Sequence, residues 1–319
     1  MQTPQHPIRS PFSAASTAAE VMAGVDLTGH FAIVTGGHSG LGLVTAKSLA
    51  AAGATVIVPA RDPHRAREAL AGIGQIEVHP MDLMQPDSIE AFARRIQGKL
   101  ISLLINCAGI MAAPLQRDAQ GHESQFATNH LGHYRLTCAL WPALVAGKAR
   151  VIAVSSRGHQ IAGVDFDDID FLQRPYDKWV AYGQSKTANA LFAMALDRRG
   201  SHHGVRAFSL HPGQILTDLA RHLSTEEIAA FDVYDDQGNP RVDPESGLKT
   251  LQQGAATGLW CATSQDLTGH GGVYCEDCNV APINASELGR KGVAQWAADP
   301  ELAERLWQVS REWTGLDVG

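Results

Sequence analysis

This 319-residue sequence contains no apolar run approaching the 20 or so residues that a membrane helix needs. The opening stretch, MQTPQHPIRSPFSAASTAAEVMAG, lacks the apolar block of a secretory signal. Cysteines are few. The five, Cys107, Cys138, Cys261, Cys275 and Cys278, are odd in number and scattered through apolar contexts, which suits buried thiols in a reducing compartment better than a disulfide framework. Charged residues make up only 18%, and 33 Asp and Glu outnumber 26 Lys and Arg. A formal charge of −7 argues against a nucleic-acid partner, which calls for a basic surface to displace counterions. No basic patch suited to an anionic membrane surface occurs either. The cytoplasm is the expected location. What the chain has in quantity is apolar side chains, 45% of the total, enough to bury a large core without disulfides or metals.

Those apolar residues are ordered. Phe31-Ala32-Ile33-Val34 reads as a strand apolar on both faces, and Leu43, Ala46, Leu49 and Ala50 then recur at helical spacing until Gly53. A second strand at Thr55–Val58, a third ending at Val78, a fourth at Leu103–Ile105, a fifth at Arg150–Val154 and a sixth at Val205–Leu210 follow, each separated from the next by a helical stretch. Asp87 is placed to cap one of these helices, and another is expected to run unbroken through HESQFATNHLGHYRLTCALWPAL. Apolar strands alternating with helices imply an α/β fold, a doubly wound parallel sheet covered on both faces. Residues 27–319 read as one such domain, with residues 1–26 as an extension wrapping its surface. Two insertions, at about 157–180 and 217–251, are long enough to shape a pocket, and the second includes a short helix capped by Ser224.

Four features carry chemistry. The turn Thr35-Gly36-Gly37-His38-Ser39-Gly40-Leu41-Gly42 joins the first strand to a helix, where glycines let the backbone approach a pyrophosphate and free amides meet it. The second strand ends Ala60-Arg61, with alanine where a carboxylate would hold the ribose hydroxyls of NAD; a guanidinium there fits a 2′-phosphate. Asp62 leaves the alternative open, since a shift of one residue would make it a ribose ligand. Tyr182 and Lys186 stand four apart on a helix and share a face. A nearby ammonium and a cationic nicotinamide ring favour phenolate, which makes the tyrosine usable as a general acid or base. Ser155-Ser156 closes the fifth strand; one hydroxyl can orient a substrate oxygen, while the other is expected to satisfy backbone groups.

Taken in order, these motifs resemble the short-chain dehydrogenase/reductase family in its single-domain TGxxxGxG form. The likeness runs from about Leu27 to Cys278 and includes Asp82-Leu83, Asn106-Cys107-Ala108-Gly109, Asn129 in TNHLGHY, Ser156, Tyr182, Lys186 and His211-Pro212-Gly213 through Thr217. SQFATNHLGHY and GGVYCEDC look most like the branch of retinol dehydrogenases and WW-domain oxidoreductases. The resemblance implies a sheet of about seven strands and a catalytic set of Asn129, Ser156, Tyr182 and Lys186. It also implies an NADP(H) cradle, with NAD(H) as the alternative. Gly36, His38, Ser39, Gly40, Leu41 and Gly42 would hold the pyrophosphate side, and Asp82 and Leu83 the adenine. Asn106, Ala108 and Gly109 would line the ribose side, and Pro212, Gly213, Ile215 and Thr217 the nicotinamide end. Asn129 would bind a water that connects Lys186 to solvent. Cys107, where the family commonly has a second Asn, is expected to be a packing variant.

The expected partner is a small molecule, and a homo-oligomer, dimer or tetramer, is compatible with the family. Ile161, Phe166, Trp179, Leu219, Leu223, Ile228 and Phe231 in the two insertions favour a medium-to-large apolar carbonyl or alcohol. Two rival classes are a non-catalytic nucleotide sensor and a tetrapyrrole photoreductase; an epimerase or dehydratase would space its glycines as TGxxGxxG. No metal is expected, because Cys275-Glu276-Asp277-Cys278 lacks a second ligand pair.

Overall fold

Strand β1, Phe31–Val34, buries Ala32, Ile33 and Val34 completely, so it can only sit inside a sheet covered on both sides. It is flanked by β2 (Thr55–Ala60) and β4 (Ile101–Asn106). Outside β2 lies β3 (Ile76–Pro80), and beyond β4 come β5 (Arg150–Val154), β6 (Arg206–His211) and β7 (Val273–Glu276). These seven strands are parallel, and the two-residue β8 (Asn279–Val280) returns antiparallel against β7, giving eight in the order 3-2-1-4-5-6-7-8. The expected seven are therefore the parallel set, and the turn Asp277-Cys278 folds an eighth back on its edge. A small separate pair, β9 (Ile283–Asn284) and β10 (Val293–Ala294), lies apart from this sheet. The computed structural model describes residues 3–215, 217–235, 237–284 and 291–318.

Side chains alternate between two cores, as the period of a strand requires. Ile33, Ile57 and Leu104 point to one, and Val34, Val56, Val58 and Ile105 to the other. The second core is closed by α1 (Ala18–Val21), α2 (Gly40–Ala51) and α10 (Leu251–Thr263). The N-terminal segment lies across this part of the molecule, with Gln5 donating to the Tyr274 and Ala281 carbonyls. On β2's exit, α3 (Pro63–Ala69) follows at once. The first core lies under α4 (Pro86–Arg95), the helical stretch from Ser124 to Ala146, and α8 (Lys178–Gly200). A C-terminal helix, α11 (Pro300–Thr314), packs along α8, stacking Trp307 on Phe192 and pairing Ser310 with buried His130.

Two helix details differ from the sequence reading. The expected long helix is broken: α5 (Ser124–Phe126) runs into a π-helical turn at Ala127–Leu131, then α6 (Gly132–Ala139) and α7 (Trp141–Ala146). Pro142 starts α7 because its missing N–H is tolerated only in a first turn. In α4 the cap position belongs to Gln85, with Asp87 in the first turn after Pro86. Ser224 does cap α9 (Thr225–Ala230), in a reciprocal pair with Glu227. The strand order reverses between β1 and β4, so a crevice opens at the carboxyl ends of these strands, where such sheets bind ligands.

Candidate active site

The glycine turn forms one wall of that crevice. Gly36 takes a left-handed φ of 68°, and a Cβ on Gly42 would lie 2.3 Å from the Gly36 carbonyl oxygen, so no side chain fits there. Ser39 precedes the helix and Gly40 begins it, so the free amides at the start of α2 face the crevice. The opposite wall is the loop after β4. His133 donates from Nδ1 to the Asn129 carbonyl at 2.9 Å, and because a carbonyl only accepts, Nε2 takes the Thr35 hydroxyl proton. Burial pushes His133 down to about 4, so the ring is neutral. The Thr35 oxygen then accepts from the backbone N–H groups of Cys107 and Ala108, tying the β4 loop to the glycine turn. At the strand end, neither amide atom of buried Asn106 has a partner among the described residues.

Ser156, Tyr182, Lys186 and Asn129 converge behind this loop. Asn129 accepts from Ile110 N–H and donates to the Ile110 carbonyl and the Ser185 hydroxyl. A Cβ on Gly109 would lie 3.0 Å from Asn129 Oδ1 and 3.6 Å from Lys186 Nζ, so the three positions adjoin. Lys186 Nζ lies 5.7 Å from the Tyr182 ring centre and donates to the Val154 carbonyl at 3.0 Å. Ser155 donates to the Lys186 carbonyl, the structural role expected of one of the two serines. Ser156 accepts from Gly158 N–H and faces the phenol. Burial dominates both ionisable groups. It raises the Tyr182 phenol to about 12 against a smaller downward pull from Ser156, and it lowers Lys186 to about 8. In the free protein the tyrosine is thus a phenol. Desolvation also raises the Cys107 thiol, to about 11.

The remaining predicted positions border the same crevice. Thr217 stands 3.6 Å from where a Gly40 Cβ would be, and Leu41 and Ile215 pack together against Gly254 of α10. Pro212 and Gly213 follow β6, with Gly213 at φ 104° against Lys249. Asp82 accepts from Met84 N–H after β3, and the Leu83 carbonyl rests against Gly132 of α6. Arg61 is exposed and makes no ion pair among the described residues, while the Asp62 Oδ1 is taken by the His64 and Arg65 amides as the cap of α3. His38, half-buried nearby, has its Nδ1 without a partner, and burial and then Arg65 and Arg61 hold it below its ordinary value.

Over the mouth, Trp179 meets Tyr182 on one side and Phe231 on the other, both edge to face, and Lys178 pairs with Glu227 at 2.5 Å. Phe166, expected in the pocket, instead lies under Arg305 of α11 and packs on the core. Cys278 sits against the Thr257 hydroxyl, and among the described residues no three His, Cys, Asp or Glu side chains converge as a metal site. None of the described helices is long and apolar enough to cross a membrane.

Residues 30–228 match the family model described as short chain dehydrogenase. The chain belongs to the short-chain dehydrogenase/reductase family. It is 47% identical over 297 residues to a Streptomyces antibioticus protein named "Probable oxidoreductase", covering 90% of this chain and 98% of that one. It is 36% identical over 305 residues to mouse retinol dehydrogenase 11, covering 92% and 89%. An uncharacterised Mycobacterium paratuberculosis protein of known structure superposes with a TM-score of 0.72 at 33% identity, covering 96% of this chain and 99% of that one. This short-chain dehydrogenase/reductase is therefore an oxidoreductase of the retinol dehydrogenase-like branch, and its family uses a nicotinamide cofactor.

Several residues that shape this dehydrogenase site escaped the sequence reading. A Cβ on Gly158 would come within 2.7 Å of Tyr182 Cε1, so this glycine lets the phenol approach Ser156. His133 ties the β4 loop to the glycine turn, and Ser185 holds Asn129. Their only signal is nearness in sequence to Ser156, Asn129 and Tyr182, which does not say which way a side chain points.

Proposed function

We propose that the protein interconverts a carbonyl and an alcohol on a medium-to-large apolar substrate, with NADP(H) preferred over NAD(H). The observation that carries this reading is the convergence of buried Tyr182 and Lys186 with half-buried Ser156 beside a turn whose Gly42 leaves no room for a side chain. The cofactor fits: Gly37 and Gly42 leave no room for a Cβ in the turn, and buried Asn106 at the end of β4 has two unsatisfied amide atoms. When bound, the nicotinamide supplies or accepts the hydride. Gly36, Ser39, Gly40, Leu41 and Gly42 would hold its pyrophosphate, and Asp82 and Leu83 its adenine. Asn106, Ala108 and Gly109 would line its ribose side, and Pro212, Gly213, Ile215 and Thr217 its nicotinamide end. Arg61, free of any carboxylate within ion-pair distance among the described residues, suits a 2′-phosphate, with His38 close by.

Tyr182 gives its phenolic proton to the carbonyl oxygen during reduction and takes it back during oxidation, while the Ser156 hydroxyl holds that oxygen. Lys186, which stays charged at neutral pH although burial lowers it to about 8, stabilises the phenolate that forms. Asn129 would bind a water that connects Lys186 to solvent, and the His133 ring fixes its carbonyl. Trp179 and Phe231 suit a bulky apolar substrate. The five thiols are all free, in keeping with a reducing cytoplasm.

The test is Tyr182→Phe, assayed by NADPH absorbance against a panel of ketones and aldehydes. Turnover is expected to vanish with NADPH affinity nearly intact. Normal activity in that variant would sink the assignment, and turnover confined to small charged keto acids would refute the apolar pocket.

A further inference from the structure

Because the cofactor reading rests on Arg61 alone at the end of β2, the neighbouring charges repay inspection. Arg65, one turn into α3, also makes no ion pair among the described residues, and its charge and that of Arg61 both bear on His38. A third guanidinium arrives from elsewhere in the chain. Thr217 packs against the first residue of α2, within 3.6 Å of the Gly40 Cβ position, and the chain then enters a 3-10 turn at Asp218–His222. Arg221 in that turn fixes one guanidinium nitrogen to the Asp218 carbonyl at 3.1 Å. Its charge is repelled by Arg61, second only to the effect of its own partial burial. The carboxylates nearby are two: Asp62, ionised and held as the cap of α3, and Asp218, which forms no ion pair with Arg221 within 4 Å. Three guanidiniums and a half-buried imidazole thus gather at one mouth of the crevice against two carboxylates, leaving a net positive charge there. Repulsion of this kind disfavours the arrangement unless a multivalent anion joins it.

We infer that Arg221 is a third arm of the site for the cofactor's 2′-phosphate, delivered by the segment that also covers the substrate mouth. The inference rests on the NADP(H) reading above and deepens it. The segment from Thr217 to Phe231 is anchored twice. Its start meets the cofactor cradle through Thr217, and its end meets the catalytic helix through Glu227–Lys178 and Phe231–Trp179. A phosphate bridging Arg61 and Arg221 pins the start and so favours the closed position of the end. The 2′-phosphate then acts as more than a discriminator between cofactors: its presence organises the apolar cover over Tyr182.

The experiment measures dissociation constants of NADPH and NADH for the full chain, wild type, Arg61→Gln, Arg221→Gln and Arg221→Lys, together with amide exchange of residues 217–231 with each oxidised cofactor. Arg221→Gln is expected to weaken NADPH about tenfold, the low end for one charged hydrogen bond, and so to cut the NADH-to-NADPH ratio of constants about tenfold. Arg221→Lys recovers part of that ratio, and the segment exchanges more slowly with NADP⁺ than with NAD⁺ in the wild type alone. A wild type that binds both cofactors equally overturns the NADP(H) reading and this inference with it. A selective wild type that loses selectivity in Arg61→Gln but keeps it in Arg221→Gln overturns the inference and leaves the reading standing. Equal weakening of both cofactors by Arg221→Gln overturns it too, since a mispacked segment would do the same.

Discussion

Lys186 is a buried cation, and its replacement by methionine should stabilise the cofactor-free protein while destroying its activity. Burial lowers its ammonium from 10.5 to about 8. At about 1.36 kcal/mol for each pH unit of displacement, the charged form is disfavoured by roughly 3 kcal/mol in the folded state. Methionine keeps most of the side-chain volume and carries no charge. The lost hydrogen bond to the Val154 carbonyl matters little, because Asn189 Nδ2 also donates to that oxygen at 3.1 Å. A net gain of about 2 kcal/mol at pH 7.5 is therefore expected from urea denaturation. The sign of the pH dependence follows from proton counts. Between about pH 8 and 10.5 the unfolded lysine holds a proton that the folded one has released, so wild-type stability climbs relative to the variant across that window. The advantage of Lys186→Met should thus be full below pH 8 and shrink by pH 9.5. Tyr182, whose shift has the opposite sign above pH 10, is common to both proteins and cancels. Saturating cofactor should reverse the order, because ligand stabilises whichever protein binds it better. A variant less stable at pH 7.5, or a difference indifferent to pH, would refute the reasoning.

Other outcomes follow from the same contacts. Gly158→Ala puts a methyl 2.7 Å from the Tyr182 ring, so kcat should fall on the order of a hundredfold with NADPH affinity little changed, as read by steady-state rates and titration. Since burial raises the phenol to about 12, reduction should hold its rate through neutral pH, whereas oxidation, which needs phenolate, should rise steadily from pH 7 to 10 in initial-rate assays. Trp179→Ala removes the ring between Tyr182 and Phe231, and KM should rise about tenfold for bulky ketones and far less for small ones.

The parallel sheet could be read from the chain because its strands are apolar on both faces and the helices between them show their own period. The π turn could not: a helix with one residue too many per turn shows the same composition as one without, and Pro142 is tolerated where it begins α7. The helices α10 and α11 lie beyond the last strand assigned from sequence, and the stacking of Trp307 on Phe192 is a contact between distant segments. In the site, Tyr182 and Lys186 were visible because four residues is one helical turn, a local relation. Gly158, His133 and Arg221 act across the fold, and nothing in their immediate neighbours announces it. Phe166 shows the reverse error, since an apolar ring in an insertion can serve the domain's own packing against α11.

The turn of π-helix at Ala127–Leu131 also bears on which changes in chain length the enzyme can absorb. A π turn winds one extra residue through about the angle of an ordinary turn, so removing one residue there would restore regular winding with the flanking helices still in phase. Glu123, which accepts the Gln125 and Phe126 amides, would keep its anchors. What would change is the Asn129 carbonyl, which regular winding hands to the His133 backbone amide in competition with the His133 ring that now bonds it. Point substitutions at Ala127 or Thr128 leave that geometry in place. A single deletion does not, so descendants of this chain should vary freely in the lengths of their surface loops and hardly at all between Glu123 and Gly132.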